Sequence, residues 1–522
     1  MAKSRSSKKL NALLVFPESP DTYWSFKHAL RLAGKRSAFP PLGLLTIASM
    51  LPAAWEKRLV DMNVRELRDS DIDWADIVMA SAMTVQQHSL REVIDRCKKR
   101  NRPVAVGGPI VSRSSKLVDG ADHLFIGAAE TTLGGFISDL ERGDAKHIYQ
   151  SVLTPDPGSG PIPAFGLAEL KHYSSNSLQY SRGCPFVCEF CDVIEIYGRE
   201  ARTKSNARMI AELQALYDTG ARGPLFIVDD NFIGNKKNVK NMLPELCEWT
   251  ERRGHPFQFF TDASMNLADD AELLRLMQRA GFRKVFIGIE SPFEDSLKEA
   301  KKTQNTRRSL VDSVRRVQSY GIEVMAGLTV GFDHDPPDIF QRQIAFVRES
   351  AIPLAIVHLL TALPDTQLWR RLEKEGRLPG ENVGSGSDAG LNFVTRMDRD
   401  TLVRGYRSIL QTIYDPPEYY ERAFASLDNT FKTDPPPARN RTLGKFVAFC
   451  RILIRLGALD PARKDFWRYF RRILTERRDL LADAMALAAT GYHFRRITET
   501  YRAPAPPAFS KKGIPACQVL LR

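Results

Sequence analysis

The sequence predicts an α/β protein built from two successive strand–helix series followed by a helical region. Three observations carry this prediction. Short apolar runs alternate with helical patterns over residues 10–150, a Pro-, Gly- and Ser-rich stretch interrupts them at 154–165, and a second alternating series continues to about residue 390. Strand–helix alternation is typical of parallel sheets covered by helices. The 522 residues suffice for roughly two to four domains.

The first series, assigned to a domain over residues 1–150, predicts a doubly wound, Rossmann-like sheet. Its strands are expected at 11–16, 57–63, 75–83, 102–108 and 121–127. Open parallel sheets bind ligands at the carboxyl ends of their strands. The candidate ligand-contacting residues at those ends are Asp61, Ser81, Thr84, Gly107 and Gly108. The glycines would let a large ligand approach the backbone closely, although a tight turn explains them equally well.

A linker is expected at 151–168, and a second domain follows over residues 169–385. Six apolar runs predict strands at 177–183, 224–230, 257–264, 284–291, 322–332 and 354–363. Six β–α units predict a complete or partial (β/α)6 barrel, with its functional groups at the strand carboxyl ends. Those ends provide Asp229, Glu290 and Gly331 as candidate site residues.

Residues 386–502 show helical patterns, and the Pro-rich end at 503–522 is expected to be a mobile tail. The net charge is +13, and between Arg439 and Arg502 there are 15 Lys and Arg against 6 Asp and Glu. A basic helical region indicates an anionic partner, either a membrane surface, a nucleic acid or an acidic substrate. A solvated helical face explains the same charge equally well.

Cysteine usage and hydropathy indicate the cellular compartment. The seven cysteines are odd in number and four of them are scattered, which is not the pattern of a disulfide framework. No apolar run reaches the roughly 18 residues of a membrane-spanning helix. The apolar run after the basic N-terminus is too short for a signal peptide. A cytoplasmic location is therefore expected.

The other three cysteines lie within eight residues, in the stretch SRGCPFVCEFC after the first strand of the second series. Their spacing is Cys184-x3-Cys188-x2-Cys191. A structural zinc site needs four ligands, yet the nearest histidine is His172, and a disulfide cannot use three thiols. An iron–sulfur cluster normally takes four cysteines, so three would leave one iron open to another ligand. The spacing favours this open cluster, with zinc and coincidence as alternatives.

A Cys-x3-Cys-x2-Cys motif after the first strand of a β/α barrel resembles the radical S-adenosylmethionine (radical SAM) superfamily. The resemblance implies that Cys184, Cys188 and Cys191 hold three irons of a [4Fe-4S] cluster and that the fourth iron binds S-adenosylmethionine. An electron, supplied by a donor such as flavodoxin or ferredoxin, would then release a 5′-deoxyadenosyl radical. Phe190 matches the aromatic position that lies near the adenine in this superfamily.

Other strand ends are similar to the superfamily in a weaker way. The stretch VFIGIES makes Glu290 a candidate for hydrogen bonds to the methionine or ribose part of S-adenosylmethionine. VMAGLTVGF places Gly331 near the adenine, and FIVDDNF places Asp229 at a second-strand ending known in one branch. A satisfied strand-end carboxylate explains Glu290 and Asp229 equally well.

The N-terminal domain resembles the cobalamin-binding branch of the superfamily. Where some cobalamin domains carry Asp-x-His-x-x-Gly, this chain reads DMNVRE, so the resemblance implies cobalamin without a histidine ligand on cobalt. His88, which follows SAMTVQQ, is expected on a helix surface instead. The segment from GLNFVTRMDRD onward is similar to the C-terminal domain of a subgroup that includes hopanoid methylases.

These resemblances imply a cobalamin-dependent radical SAM enzyme, and most simply a C-methyltransferase that acts on an unactivated carbon of a small-molecule, lipid or natural-product substrate. Two alternatives stay open: a non-methylating cyclisation or rearrangement, and a nucleic-acid-modifying protein. Nucleic acid is disfavoured, because the basic region shows no binding module with interleaved aromatics. The basic C-terminal helices could instead make peripheral membrane contact, although a packed helical bundle is the simpler interpretation.

Overall fold

The computed structural model describes residues 9–113, 118–151, 155–378, 391–430 and 443–500. The expected tail at 503–522 lies outside these residues. Among the described helices, none is both long enough and apolar enough to cross a membrane.

The N-terminal region forms a six-stranded parallel sheet with the strand order β2-β1-β3-β4-β5-β6. The strands are β1 Asn11–Phe16, β2 Glu56–Asp61, β3 Ile77–Ser81, β4 Val104–Gly107, β5 His123–Ile126 and β6 Ile148–Gln150. The helices are α1 Lys27–Ala33, α2 Leu42–Met50, α3 Asp69–Trp74, α4 Gln87–Lys99, α5 Pro109–Arg113 and α6 Ala129–Arg142. Separate apolar clusters cover the two faces, which confirms the doubly wound fold. The edge strand β6 was not predicted, because three residues are too few for a periodic signal.

The strand order reverses at β1, which lies between β2 and β3. Ligands bind at such a switch point, outside the carboxyl ends of the strands. The loops that follow β1 and β3 are joined there, because Gln86 Nε2 donates hydrogen bonds to the Pro17 carbonyl at 2.6 Å and to Ser19 Oγ at 3.2 Å. The hydrogen bonds of Gln86 therefore fix these two loops relative to each other at the carboxyl edge of the sheet.

The second sheet has six parallel strands in chain order, β14-β13-β12-β11-β10-β7. Its strands are β7 Asn176–Leu178, β10 Gly223–Ile227, β11 Phe257–Ala263, β12 Phe282–Glu290, β13 Glu323–Val330 and β14 Ala355–Leu359, and a small antiparallel pair consists of β8 Ser181–Arg182 and β9 Arg202–Thr203. The helices are α7 Val193–Tyr197, α8 Asn206–Asp218, α9 Lys236–Glu251, α10 Ala271–Ala280, α11 Glu294–Glu299, α12 Leu310–Gln318, α13 Ile339–Glu349 and α14 Gln367–Lys374. Consecutive parallel strands that pair with their neighbours make a partial β/α barrel, as predicted.

The C-terminal region is helical, as predicted. Its elements are α15 Arg399–Ile413, α16 Pro416–Thr430, α17 Leu443–Ile452, a π-helical segment Leu453–Leu459, α18 Arg463–Glu476 and α19 Leu481–Thr500. Helix α15 packs against α13 and β14 of the barrel, whereas α19 packs against α16 and against α1 of the N-terminal domain.

Helix α19 is tied to the N-terminal domain by buried hydrogen bonds. The Tyr23 hydroxyl and Thr498 Oγ1 are 2.9 Å apart. His493 is fully buried; its Nε2 lies 3.0 Å from the Thr22 carbonyl oxygen, and its Nδ1 lies 3.4 Å from the backbone nitrogen of His28. These partners assign a neutral ring with its proton on Nε2. Burial, and to a smaller extent the nearby His28, lowers the pKa of His493 to about 4.

Acidification should therefore weaken the attachment of α19. The folded-state pKa of His493 is about 4, whereas the pKa of an unfolded histidine is about 6.5. This difference contributes about 3 kcal/mol to the free energy of unfolding above pH 6.5, and the contribution is lost as the pH falls towards 4. Urea unfolding between pH 7 and pH 4 should show a shallower pH dependence for His493→Gln than for the wild type. His88→Gln, at an exposed position, is the matched control. Parallel stability curves for His493→Gln and the wild type would contradict this assignment.

Candidate active site

The three clustered cysteines lie on one loop, residues 183–201, which the antiparallel pair β8 and β9 closes at its base. The loop begins at Gly183, whose φ is +93°. A Cβ atom at this position would clash with the Glu200 carbonyl oxygen, so both the backbone conformation and the close approach require glycine. The loop therefore leaves the first barrel strand in a fixed direction at the carboxyl end of the sheet.

The three thiols share one partly buried environment. Burial raises the pKa of Cys184 and of Cys191, and the proximity of the other cysteines raises both further. Amide side chains face two of the sulfurs: Asn231 Nδ2 lies 3.7 Å from Cys184 Sγ, and Gln304 Nε2 lies 3.7 Å from Cys188 Sγ. Hydrogen bonds to cluster sulfurs tune reduction potential. Neither amide was a sequence candidate, because nothing local marks Gln304 as a neighbour of the loop.

This donor set fits an iron–sulfur cluster. All six cysteines in the described part of the chain are free, so none of the three is taken by a disulfide. In the same residues, no three His, Cys, Asp or Glu side chains converge as the ligands of one metal ion would. A cubane cluster does not need such convergence, because each cysteine binds a different iron. Thiolates are the ligands that such clusters use.

A network of ion pairs fastens the cysteine loop to the end of the barrel. Glu189 is buried, and its carboxylate accepts hydrogen bonds from Arg371 Nε at 2.7 Å and Arg371 Nη2 at 3.3 Å. Arg371 also reaches Asp333 at 3.0 Å, which in turn pairs with Arg377. The backbone joins as well, because the Glu189 nitrogen donates to the Ala300 carbonyl at 3.0 Å. The loop is therefore held at Glu189, the residue that follows Cys188.

Glu290 is the last residue of β12 and lies at the carboxyl end of the barrel strands, the barrel mouth. Its φ is +65°, and a register shift between Gly288 and Glu290 turns its side chain inward. The carboxylate is 2.8 Å from Lys302 Nζ and accepts a hydrogen bond from Thr329 Oγ1 at 3.0 Å. A left-handed backbone at a non-glycine residue is costly and clusters at functional sites. The strained backbone of Glu290 thus lies at the end of β12, next to the cysteine loop.

Lys302 links Glu290 to the cysteines. Burial lowers its pKa, but the charge of Glu290 and the nearby Cys188 and Cys191 outweigh burial and hold the pKa above its ordinary value. The Lys302 Nζ also lies 5.9 Å from the centre of the Phe190 ring. A Cβ atom on Gly288 would approach Lys302 Nζ to 2.8 Å, so this glycine makes room for the ion pair. Sequence reasoning missed Lys302, which follows α11 and not a strand.

Phe190 and Gly331 lie on neighbouring segments of the same mouth. The Phe190 ring packs against Phe332 with a centroid separation of 6.3 Å. Gly331 has a φ of +109°, and its backbone nitrogen donates to the half-buried Asp335 carboxylate at 2.7 Å. Burial raises the pKa of Asp335 to about 6. The structure thus brings both sequence candidates to the cysteine loop.

Asp229 is buried beneath the cysteine loop, and its carboxylate faces the backbone. It accepts hydrogen bonds from the Tyr180 nitrogen at 2.7 Å, the Ser181 nitrogen at 2.8 Å and Ser181 Oγ at 2.7 Å. Burial raises the pKa of Asp229 to about 6, although these hydrogen bonds lower it. This geometry indicates that Asp229 positions the chain between β7 and β8, rather than contacting a cofactor directly.

Substitution of Asp229 separates these two roles. Asp229→Asn replaces an acceptor oxygen by an amide that faces backbone N–H groups, which should cost about 2–4 kcal/mol. We expect the reconstituted variant to lose iron faster than the wild type. Asp218→Asn, an exposed change on α8, is the control. Full iron retention with weakened S-adenosylmethionine binding would instead identify Asp229 as a direct contact.

The candidates of the N-terminal domain gather at the carboxyl edge of the first sheet, and the structure distinguishes their roles. Gly108 has a φ of +92°, and a Cβ there would lie 2.7 Å from Ser81 Oγ, so this glycine is explained by the packing of two strand ends. A Cβ atom at Gly107 would meet the Phe125 side chain at 3.5 Å, an ordinary van der Waals distance. Asp61 is buried and accepts a hydrogen bond from Tyr173 at 2.9 Å, which ties the sheet to the segment before β7. Burial raises the pKa of Asp61.

Thr84 has a free donor and acceptor at this edge. Its Oγ1 is buried and has no hydrogen-bond partner among the described residues, which fits a site whose ligand completes the hydrogen bonding. His88 is exposed and its Nε2 lies 3.3 Å from Glu92, so it lies on the helix surface, as expected. The exposed position of His88 agrees with a cobalamin that takes no imidazole from this helix.

The two α/β units meet in this region. Arg182, which leads into the cysteine loop, pairs with Glu130 at the start of α6 at 2.7 Å. Phe39 of the N-terminal domain packs against Phe226 with a centroid separation of 5.2 Å, and Trp24 packs against Phe286 at 5.1 Å. Side chains of the first domain thus reach the interior of the barrel.

Three family models match the chain in the order of these units. The B12 binding domain model matches residues 33–137, the radical SAM superfamily model matches residues 178–346, and a domain of unknown function (DUF4070) matches residues 366–505. Together with the fold and the three thiols, they define a radical SAM enzyme that carries a cobalamin-binding domain.

Similar proteins identify the family more closely. An uncharacterized methyltransferase of Synechocystis is 40% identical over 94% of this chain and 93% of its own length. Hopanoid C-2 methylase of Rhodopseudomonas palustris is 36% identical over 88% and 89%. The chain belongs to the cobalamin-dependent radical SAM family and is a C-methyltransferase.

Solved structures show the same architecture. The cobalamin-dependent S-adenosylmethionine radical enzyme OxsB, with aqua-cobalamin and S-adenosylmethionine bound, aligns with a TM-score of 0.59 at 17% identity, over 95% of this chain and 80% of that one. The radical methyltransferase TsrM from Kitasatospora setae aligns with a TM-score of 0.57 at 16% identity, over 95% and 100%. At these identities the likeness concerns the fold.

Proposed function

We propose that this C-methyltransferase acts on an apolar, ring-containing lipid. The observation that supports this proposal is a group of three aromatic side chains in the barrel, Phe226, Phe260 and Phe286, which we call the aromatic wall. Phe226 and Phe260 lie opposite each other on neighbouring strands and stack at 4.8 Å with an interplanar angle of 6°. Their strand neighbours Leu225 and Phe259 are fully buried in the main core, so by strand alternation the aromatic wall faces the barrel interior.

The first domain extends this wall. Phe39 and Trp24 add two more rings, whereas the charged pair of Lys284 and Glu323, 2.8 Å apart, is internally neutralised. Apolar and aromatic linings are typical of sites for apolar ligands. The similarity to a hopanoid C-2 methylase supports the same substrate class.

We propose that Cys184, Cys188 and Cys191 hold the cluster and that Glu290 with Lys302 contacts bound S-adenosylmethionine. The cofactors supply the radical initiation and the methyl carriage. The chain orients the reactants: the ion-pair network fixes the cysteine loop, Asp229 positions the strand that leads into it, and the aromatic wall excludes water from the substrate carbon.

We also propose a cytoplasmic location and a small electron-transfer protein, flavodoxin or ferredoxin, as the electron donor. An open [4Fe-4S] cluster requires one-electron reduction before it can act, and the six free cysteines of the described residues are consistent with a reducing compartment.

The substrate proposal is tested by anaerobic reconstitution with iron, sulfide and hydroxocobalamin. The protein is then incubated with methyl-labelled S-adenosylmethionine and a panel of polycyclic triterpenoids, tetrapyrroles and peptides, and products are identified by mass spectrometry. We expect label in a triterpenoid. Phe226→Ser should raise KM more than it lowers kcat, whereas Phe226→Leu should restore most of the affinity. Methylation of only the polar substrates would refute the proposal.

A further inference from the structure

Helices α17 and α18 carry most of the exposed apolar side chains. Of the nine large hydrophobic residues that are exposed in the described part of the chain, seven lie between residues 443 and 474. Phe446, Ile454 and Leu459 each expose more than half of their surface. Concentrated apolar exposure of this kind marks an interaction surface.

The spacing of residues on α18 separates a core face from an outer face. Phe466, Tyr469 and Ile473 are buried against the bundle. Trp467, Arg471 and Leu474 are exposed, and they recur at intervals of four and three residues, which places them on one side of the helix. Apolar and basic side chains thus alternate along the outer face.

The π-helical segment continues this face. Trp467 Nε1 donates a hydrogen bond to the Gly457 carbonyl at 2.8 Å, and a Cβ at Gly457 would lie 2.8 Å from the indole ring. Phe449 packs against Phe470 with a centroid separation of 6.3 Å. The exposed residues between 443 and 459 therefore lie beside α18. We call this outer face, residues 443–474, the α17–α18 surface.

The α17–α18 surface is basic, which favours an anionic partner. Between residues 443 and 478 there are ten Lys and Arg and three Asp and Glu. Exposed basic residues, among them Arg463, Lys464 and Arg471, flank the apolar side chains. Large apolar residues interleaved with Lys and Arg match the boundary between acyl chains and anionic headgroups.

We propose that the α17–α18 surface docks the protein on an anionic lipid bilayer. The apolar side chains would enter the headgroup region, and the basic side chains would pair with lipid phosphates. This inference goes beyond the proposed activity and does not depend on it, because membrane binding is measured without turnover.

The test is co-flotation of the full-length chain with vesicles. One set contains phosphatidylcholine alone, and in the other about a third of the lipid is phosphatidylglycerol. We expect the wild type to float with the anionic vesicles at low salt and to be released at high salt. The variant Phe446→Ser/Ile454→Ser/Leu459→Ser should lose most of this binding. Ile148→Ser, an exposed apolar residue of the N-terminal sheet edge, is the matched control and should bind as the wild type does.

A second variant tests the electrostatic part. Arg463→Gln/Lys464→Gln/Arg471→Gln should lower partitioning on the order of a hundredfold, since each basic residue near the membrane surface contributes about fivefold. Unchanged flotation of both triple variants would overturn the proposal. The proposal would also be overturned if the wild type failed to bind vesicles and instead self-associated in a way that the triple serine variant abolished, because the surface would then contact a second copy of the chain. Salt-dependent RNA binding by a wild type that does not bind vesicles would likewise assign the surface to a nucleic acid.

Discussion

Replacing Cys184, Cys188 and Cys191 by alanine should abolish both cluster assembly and methyl transfer. The wild type should take up about four irons per chain on anaerobic reconstitution, whereas the variant should retain only background iron. The physical reason is the donor set: three partly buried thiols lie together on a loop fixed by the Glu189–Arg371 ion pair. Metal analysis of the desalted protein and electron paramagnetic resonance of the reduced cluster measure the result.

The cobalamin content distinguishes loss of the cluster from loss of the fold. The variant should still bind hydroxocobalamin, because the first sheet is a separate unit with its own core. Cys450→Ala changes a half-buried cysteine on α17 and should leave the iron content unchanged. Iron retained by the triple variant would show that the three cysteines are not the ligands.

Replacing Glu290 by glutamine should be the most damaging single change at the barrel mouth. Lys302 would keep its charge in a nearly buried position without the carboxylate that lies 2.8 Å away, and breaking a buried ion pair costs about 3–5 kcal/mol. We expect weaker binding of S-adenosylmethionine to the reconstituted enzyme and a large loss of turnover. Calorimetric titration and product formation are the measurements.

Two further variants distinguish a cofactor-binding role of the Glu290–Lys302 pair from a structural role. Glu290→Gln/Lys302→Met removes both charges and should recover much of the stability but not the activity, if the pair serves the cofactor. Glu294→Gln breaks an exposed pair with Lys298 and should cost at most about 1 kcal/mol. Activity of the double variant close to the wild-type level would assign the pair a purely structural role.

Much of the fold could be predicted because its signals are local. Five strands of the first sheet and all six of the barrel were predicted near their observed positions, since buried runs of β-branched and aromatic residues alternate with amphipathic helices. The edge strand β6 carries no such signal. The small pair β8–β9 was missed because the expected run at 177–183 continues through a turn that only packing reveals.

Candidate site residues divide in the same way. The cysteines, Phe190, Glu290 and Gly331 were predicted because they stand at strand ends or in a fixed spacing. Asp229 was also predicted, but only the structure shows that its carboxylate accepts hydrogen bonds from backbone groups. Pattern identifies the residue type at a strand end, whereas the direction of its side chain depends on neighbours that are distant in the chain.

The sequence by itself determined the order of the three units, the three candidate cysteine ligands and the cofactor class, because each is encoded in contiguous residues. Only the tertiary structure decided which groups surround the thiols. Lys302 and Gln304 lie more than a hundred residues from Cys184 in the chain, and Phe39 packs against the aromatic wall, whose rings come from three separate strands. Contacts of this kind arise when the helices and sheets pack, and no local periodicity encodes them.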